Sequence, residues 1–367
     1  MIEKLSDPAF ALEQIPNQTV LILQGGGAMG AFEGGVVRAF EEESVFPDIV
    51  AGVSIGAFNA AIIAGNPKNA TAALKAFWDE LAVNTPAWGG NDACENAFSS
   101  WYNLAFGAPK FFRPRWMNPM LALNQLPTSW TSFYDTSPAK ALLARYVDFA
   151  TLKRSPIRLL ISAVDVESGE LRVFDSCSDD LTPDHILASG SLPPGFPWTT
   201  IGGRHYWDGA IISNSPLEQV MERCGVAGKR VFIVDLFANA RALPANMMEV
   251  LARRDEIGFA ERINKDIQTR ELVQDFRNLI QEILDHMEPE AIALMKQRPR
   301  YIQLMGDLAP IAITRILREG EIGEPSSRDY DFSKTAVEKN WQDGYTQAKT
   351  ALKAKAKDQS TRASKSA

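Results

Sequence analysis

Histidine is scarce in this sequence of 367 residues, with His185, His205 and His286 its only members, so chemistry that leans on a histidine base has few places to find one. Cysteine is equally sparse. Cys94, Cys177 and Cys224 are scattered, odd in number and free of any C-x-x-C pair; this speaks against a disulfide framework or thiolate metal site and predicts a reducing, cytoplasmic setting, with no metal or cofactor. An excess of positive charge is missing too, since 38 Lys and Arg against 45 Asp and Glu leave a net charge of −7. No broad basic field recruits nucleic acid or an acidic membrane, and a lipid surface would have to be met through apolar contacts or a local patch. The opening stretch "MIEKLSDPAFALEQIPNQ" lacks the basic start and apolar run of an export signal. The segment 49–65 carries no charge and has only Ser54 and Asn59 as polar residues, and at 17 residues it barely reaches the lower edge of a bilayer span. Glycines 52 and 56 around a serine argue there for a buried strand, a turn and a buried helix.

What is present is an alternation of elements. "TVLIL" (19–23) is a β-branched apolar run that reads as a buried parallel strand, and it ends in "QGGGAMG". The next segment places Phe32, Val36, Val37 and Phe40 at helical intervals, with Gly34 and Gly35 weakening the helix and predicting close packing. "DIVAGV" reads as a second strand and "SIGAFNAAIIAG" as a second helix that stops at Gly65, Asn66 and Pro67. This order predicts an α/β fold, a mostly parallel sheet flanked by helices on both faces. Further strands are expected at "IRLLISAVDV", hairpinned to "LRVFD" across "ESGE", at "RVFIVDLF" and at "RYIQLM" (300–305).

One domain over 18–240 accommodates these strands. Within it, 85–134 holds 11 aromatics in 50 residues, 22% against 9% for the whole chain, which marks an insertion between core helices. From 246 to 286 the pattern is that of an amphipathic covering helix, with Leu272, Phe276, Leu279 and Ile283 on its apolar stripe and a break expected near Gly258. A helical extension packed on the domain is expected over 241–352. The tail 353–367, poor in large apolar residues, is expected to be disordered.

Gly25, Gly27 and Gly30 fit G-x-G-x-x-G after a strand, a pattern that also opens dinucleotide sites. That alternative wants an acid at the end of the second strand, whereas Glu41 to Glu43 sit in the preceding helix. Glycines serve another anion equally well, because they let backbone N–H groups face a cavity; beside a nucleophile they make an oxyanion hole. Gly52 and Gly56 frame Ser54 in G-x-S-x-G, the pattern that lifts a serine onto a strained strand-to-helix turn. Its base remains to be found. In "HYWDGAIISNSPL", Asp208 is followed by Gly209 and Ala210, so its carboxylate stands at a turn with small neighbours; desolvated there, it could take a serine's proton. A serine, acid, histidine order can also be drawn, as Ser54, Asp165 or Asp235, and His286.

With "GGGAMG", "GVSIG" and "DGA" in this order, and "ILASGSLPPGFPWTTIGGRHYWDGAIISNSPL" leading to the aspartate, the chain resembles the patatin-like phospholipase family. The likeness covers about 18–240, and "RDYDFSKTAVEKNWQDGYTQA" looks like the extension of a bacterial branch. It implies a dyad without histidine: Ser54 as nucleophile, Asp208 as base, and the amides of Gly26, Gly27 and Ala28 around the oxyanion. Two positions depart from the family pattern, Gln24 where many members have Asp and Met29 where many have a basic residue.

The implied activity is hydrolysis of carboxylic esters of lipids, of phospholipase A or lysophospholipase type, through an acyl-serine. A carboxylesterase or thioesterase for small soluble acyl esters is the alternative, and a lipid-binding or storage protein with vestigial activity is another. The aromatic insertion predicts either a lipid-facing surface, a lid, or a subsidiary core; "PKFFRPRWM" in particular fits a headgroup-level contact. The expected partners are the acyl ester and, at the periphery, a membrane; a homo-oligomer stays compatible with the sequence.

Overall fold

The computed structural model describes residues 18–85, 92–117, 130–224, 228–237, 243–244, 247–305, 311–320 and 326–365. Its strands are β1 (Gln18–Leu23), β2 (Ile49–Gly52), β3 (Arg113–Pro114), β4 (Tyr134–Asp135), β5 (Arg158–Asp165), β6 (Leu171–Asp175), β7 (Thr199–Ile201), β8 (Arg204–Asp208), β9 (Lys229–Asp235) and β10 (Ile311–Leu317). The helices are α1 (Ala31–Glu42), α2 (Ile55–Gly65), α3 (Ala70–Leu81), α4 (Asp92–Phe106), α5 (Ser137–Tyr146), α6 (Pro183–Ser189), α7 (Leu217–Arg223), α8 (Met247–Asp285), α9 (Pro289–Lys296), α10 (Pro299–Met305) and α11 (Lys334–Lys365).

One eight-stranded sheet runs β10-β9-β1-β2-β5-β8-β7, with β6 also on β5. The four pairings that link the five central strands are those of a parallel α/β sheet, β10 to β9, β9 to β1, β1 to β2 and β2 to β5 all being parallel, while β6, β7 and β8 join antiparallel. Period-2 alternation sorts the side chains of β1 to the two faces. Leu21 and Leu23 point into the larger core with Phe32, Phe40, Phe58 and Trp78; Val20 and Ile22 point into a second core with Leu217, Val220 and Met221 of α7, against which Ile267 of α8 packs. All residues of α2 except Gly65 are buried, which is why its sequence is apolar throughout instead of amphipathic. Thus 49–65 is resolved into strand, turn and core helix, and among the described residues no helix is long and apolar enough to cross a membrane.

The arrangement around β5 positions the site. β6 occupies one edge of β5 from Leu160 to Val164, so β2, opposite 158–161, and β8, opposite 163–165, must share the other edge. They meet end to end. Gly52 lies across from Ile161 and Asp208 across from Ala163, so the C-terminal end of β8 arrives where the chain leaves β2 and turns into α2.

Several expectations need correction. "RYIQLM" is not a strand: Pro299 opens α10 there, a proline being well suited to the first helical turn, and the edge strand is "IAITRIL" of β10 instead. The region after 240 therefore contributes a strand to the sheet as well as helices. α8 runs unbroken through Gly258, and Leu272, Phe276, Leu279 and Ile283 are exposed; Ile267 and Leu284 make its inward contacts instead. α11 continues to Lys365 in place of a disordered tail, its Ala, Lys and Gln content being good helix-forming material. The insertion is more regular than its pattern suggested, since it contains α4 and the β3–β4 ribbon. Gly34 and Gly35 do mark a close approach: a Cβ at either would strike Trp341 of α11, and one at Gly344 would strike the carbonyl of Phe32.

Candidate active site

Ser54 sits between β2 and α2 with φ 55° and ψ −126°. A side-chain-bearing residue in this region costs about 1–3 kcal/mol, and the surroundings hold it there. A Cβ on Gly52 would strike the carbonyl of Gly56, and one on Gly56 would lie 2.5 Å from the carbonyl O of Leu23, so only glycine at both positions allows so tight a turn. The Ser54 N–H donates to Ser189 Oγ at 3.0 Å, fixing the elbow to the end of α6.

Asp208 is fully buried. Its N–H donates to the Ser191 carbonyl at 3.1 Å, and its Oδ1 accepts from the Ala210 N–H at 2.8 Å. Among the described residues no cation pairs with it, and Oδ2 makes no hydrogen bond of full geometry. Burial pushes the Asp208 carboxyl up to about 7, against the Ala210 N–H and the nearby Ser54 hydroxyl, which hold it down. A carboxylate with proton affinity near neutrality, beside a serine, can act as a general base. Gly209 is required by packing, since a Cβ there would lie 2.6 Å from both the carbonyl O and Oγ of Ser162 on β5.

The glycine loop closes the third side. Gly25 touches Ser54, for a Cβ on it would lie 2.7 Å from the serine Cβ. Asn214, buried after the Asp208 turn, clasps Gly25 from both sides: its Oδ1 accepts from the Gly25 N–H at 2.9 Å and its Nδ2 donates to the Gly25 carbonyl at 3.1 Å. Gly27 takes φ 55°, open to glycine at little cost. Met29 N–H donates to the Gly26 carbonyl, while among the described hydrogen bonds none uses the N–H of Gly26, Gly27 or Ala28. These amides are thus available to an oxyanion at the start of α1. At the departing position, Gln24 Oε1 accepts from the Leu236 N–H at 2.9 Å, tying the loop to the end of β9.

Beneath the loop lies a buried polar knot. Asn59 of α2 donates to the Gly30 carbonyl at 2.9 Å and to Glu33 Oε2 at 2.7 Å, and accepts from Trp78 Nε1 at 3.0 Å. Burial raises the Glu33 carboxyl well above its usual range, against the hydrogen bonds from Asn59 and the Gln24 N–H, so the neutral acid is favoured. Ser189, Asn214 and the Glu33–Asn59 pair were not legible as site residues, because each reaches its partner from far along the chain or hides inside an ordinary helix pattern.

The histidine alternative finds no support. His286 is exposed at the end of α8 and bonds the Glu282 carbonyl through Nδ1; His205 pairs with Thr200; His185 caps α6 with Thr182 and packs on Phe174. Asp165 accepts from Arg204 at 2.6 Å, and Asp235 is paired with Arg315. Both carboxylates are thus paired with arginines.

The aromatic insertion splits into two groups. Phe111 and Phe112 are core residues packed with Phe58, Tyr134 and Phe332, which corrects the expectation of a headgroup contact for that pair. Trp101, Phe106, Trp116, Met117 and Phe133 are exposed. The Phe133 and Tyr134 N–H groups donate to the carbonyls of Pro194 and Gly195, so the insertion is tied to the loop that runs from Ser189 and Ser191 towards Trp198, itself exposed.

A family model described as patatin-like phospholipase matches residues 21–221, and a second, described as patatin phospholipase, matches 257–364. A stretch of 44 residues, 12% of this chain, is 52% identical to lysophospholipase nte1 of Aspergillus terreus, of whose length it spans 3%. Among solved structures, VipD from Legionella pneumophila is similar with a TM-score of 0.40 and 14% identity, over 92% of this chain and 67% of VipD. Full-length ExoU of Pseudomonas aeruginosa, in complex with SpcU, gives a TM-score of 0.30 and 16% identity over 70% of this chain, which spans about half of ExoU, 53%.

Proposed function

The chain belongs to the patatin-like phospholipase family, and from that premise we propose a lipid acyl hydrolase, of phospholipase A or lysophospholipase type, that works through Ser54 and Asp208 without a histidine. The observation that carries this reading is the strained Ser54 beside a fully buried aspartate that no cation among the described residues compensates. The ionised Asp208 takes the Ser54 proton as Oγ attacks the acyl carbonyl. The amides of Gly26, Gly27 and Ala28 hold the tetrahedral oxyanion, each such donor being worth about 3 kcal/mol in comparable sites. Collapse expels the alcohol, which leaves with the proton from Asp208; the same carboxylate then deprotonates water, and a second tetrahedral intermediate releases the fatty acid and restores Ser54.

The exposed Trp101, Trp116, Met117, Phe133 and Trp198 support docking on a lipid surface, since indole rings suit a bilayer interface. We place the enzyme in the cytoplasm, peripheral to membrane. A panel of esters varied in acyl length and headgroup, run on wild type, Ser54→Ala and Asp208→Asn, tests the reading: both variants should lose turnover while staying folded. Trp116→Ser with Phe133→Ser should lower vesicle hydrolysis and spare a short soluble ester. Activity confined to short soluble esters would favour a carboxylesterase instead.

A further inference from the structure

We propose that Arg328 is a positioning residue of the glycine loop, supplied by the C-terminal extension, so that the extension completes the oxyanion hole as well as covering it. The inference rests on the oxyanion role given above to Gly26, Gly27 and Ala28.

The turn Ser326–Tyr330 is strung between β10, which pairs with β9 next to β1, and α11, which packs on α1 through Trp341 and the glycine pair. β1 and α1 are the two elements that flank the glycine loop. The turn is therefore anchored at both ends to the frame of the loop and lies against the loop itself. The Asp329 carbonyl presses on Gly27 so closely that a Cβ there would collide with it. Arg328 is almost fully buried; its Nη2 meets Glu256 of α8 at 2.9 Å, and its Nε donates to the sulfur of Met29 at 3.0 Å. Glu256, buried as well, faces Arg328 through Oε1 as an ion pair and accepts from Arg253 through Oε2 at 3.0 Å, so the carboxylate is held from two sides.

Met29 passes the constraint on. It is buried, its N–H donates to the Gly26 carbonyl, and its methyl lies 3.1 Å from where a Gly26 Cβ would stand. A thioether on an unbranched stem has soft rotamers and needs a partner to fix it. A guanidinium can supply that partner, because Nη2 faces the carboxylate while Nε–H goes to the sulfur, two nitrogens held in one rigid plane, whereas an ammonium gathers its donors on a single nitrogen. The chain of contacts Glu256, Arg328, Met29, Gly26 thus fixes the loop. Oxyanion donors act only when already in place, so a loosened loop loses turnover more than substrate binding.

The test compares full-length Arg328→Lys, Arg328→Gln, Met29→Leu, the Met29→Leu/Arg328→Lys double variant and Tyr345→Phe. Steady-state hydrolysis of a short p-nitrophenyl ester is measured beside hydrogen exchange of the peptide 24–31. Arg328→Lys and Arg328→Gln should lower kcat by about tenfold or more with KM within about twofold, and should speed exchange in 24–31. Met29→Leu should lower kcat by several-fold, and the double variant should be no slower than Arg328→Lys, since both changes cut one chain of contacts. Tyr345→Phe, which loses only the exposed bond to Glu42, should change neither. Wild-type kcat in a folded Arg328→Lys or Arg328→Gln protein, multiplicative losses in the double variant, or unchanged exchange in 24–31 would overturn the proposal. Full turnover in Ser54→Ala would instead overturn the acyl-hydrolase reading, while the exchange measurement would still judge the role of Arg328.

Discussion

Two aspartates end antiparallel strands on β5, and they meet opposite fates. Asp175 closes β6 across from Leu160, Asp208 closes β8 across from Ala163, and both side chains are buried. At Asp175 the desolvation that would raise the carboxyl is outweighed by the Arg158 guanidinium, bonded through Nε at 3.1 Å and Nη2 at 2.6 Å, and by the Cys177 N–H, so its proton affinity falls below the usual range. At Asp208 nothing outweighs it. Burial prevails, and the group is pushed up to about 7. The same residue type, each time at the end of a strand paired with β5, is thus held ionised where a bidentate cation meets it and drawn towards neutrality where none does.

The contrast can be broken first through pH. Asp208 must be ionised to take the Ser54 proton, so kcat/KM on a soluble ester should be flat above about pH 7 and fall about tenfold per unit below it. A profile with its acid limb at about 4, the ordinary carboxylate range, would contradict the elevation of Asp208. The second test is thermodynamic. A carboxyl whose folded pKa lies above its unfolded value binds more protons in the folded state, so its contribution to stability declines as pH rises from about 4 to about 7. Asp208→Asn removes that decline and should be more stable than wild type at pH 8 by on the order of 3 kcal/mol, with little difference at pH 4; chemical denaturation at both pH values checks it.

At the paired aspartate the sign is reversed. Asp175 contributes stability above its unfolded pKa of about 4 and loses it as pH falls further, and Arg158→Ala, which leaves the carboxylate without its cation, should cost about 2 kcal/mol, less than for a fully buried pair because Arg158 is partly exposed. Turnover of the folded variant should stay near that of wild type. The smallest effect belongs to Glu33. As its neutral form is favoured, Glu33→Gln should keep the bonds to Asn59 and change turnover by less than about threefold, whereas Glu33→Ala would release the Gly30 end of the loop.

The sequence disclosed the parts of the site whose chemistry is local. Ser54, Gly52, Gly56, Asp208 and the glycine run stand in short motifs because each turn constrains its own neighbours, and the strands of the parallel core follow from their apolar runs. What joins these parts was hidden. The sharing of one β5 edge by β2 and β8 is a property of pairing, not of either strand. Ser189 meets Ser54 across 135 residues, Asn214 meets Gly25 across 189, and Arg328 meets Met29 across 299, so no local pattern could announce them. Composition and periodicity also misjudged surroundings: Phe111 and Phe112 went to the core, the stripe of Leu272 and Phe276 stayed exposed, and "RYIQLM" became a helix behind Pro299.

The central claim is that Asp208, and no histidine, activates Ser54. The most direct test is the ester turnover of a His185→Gln/His205→Gln/His286→Gln protein whose circular dichroism matches wild type. Turnover within about threefold of wild type is the predicted result. A loss as deep as that of Ser54→Ala would contradict the account.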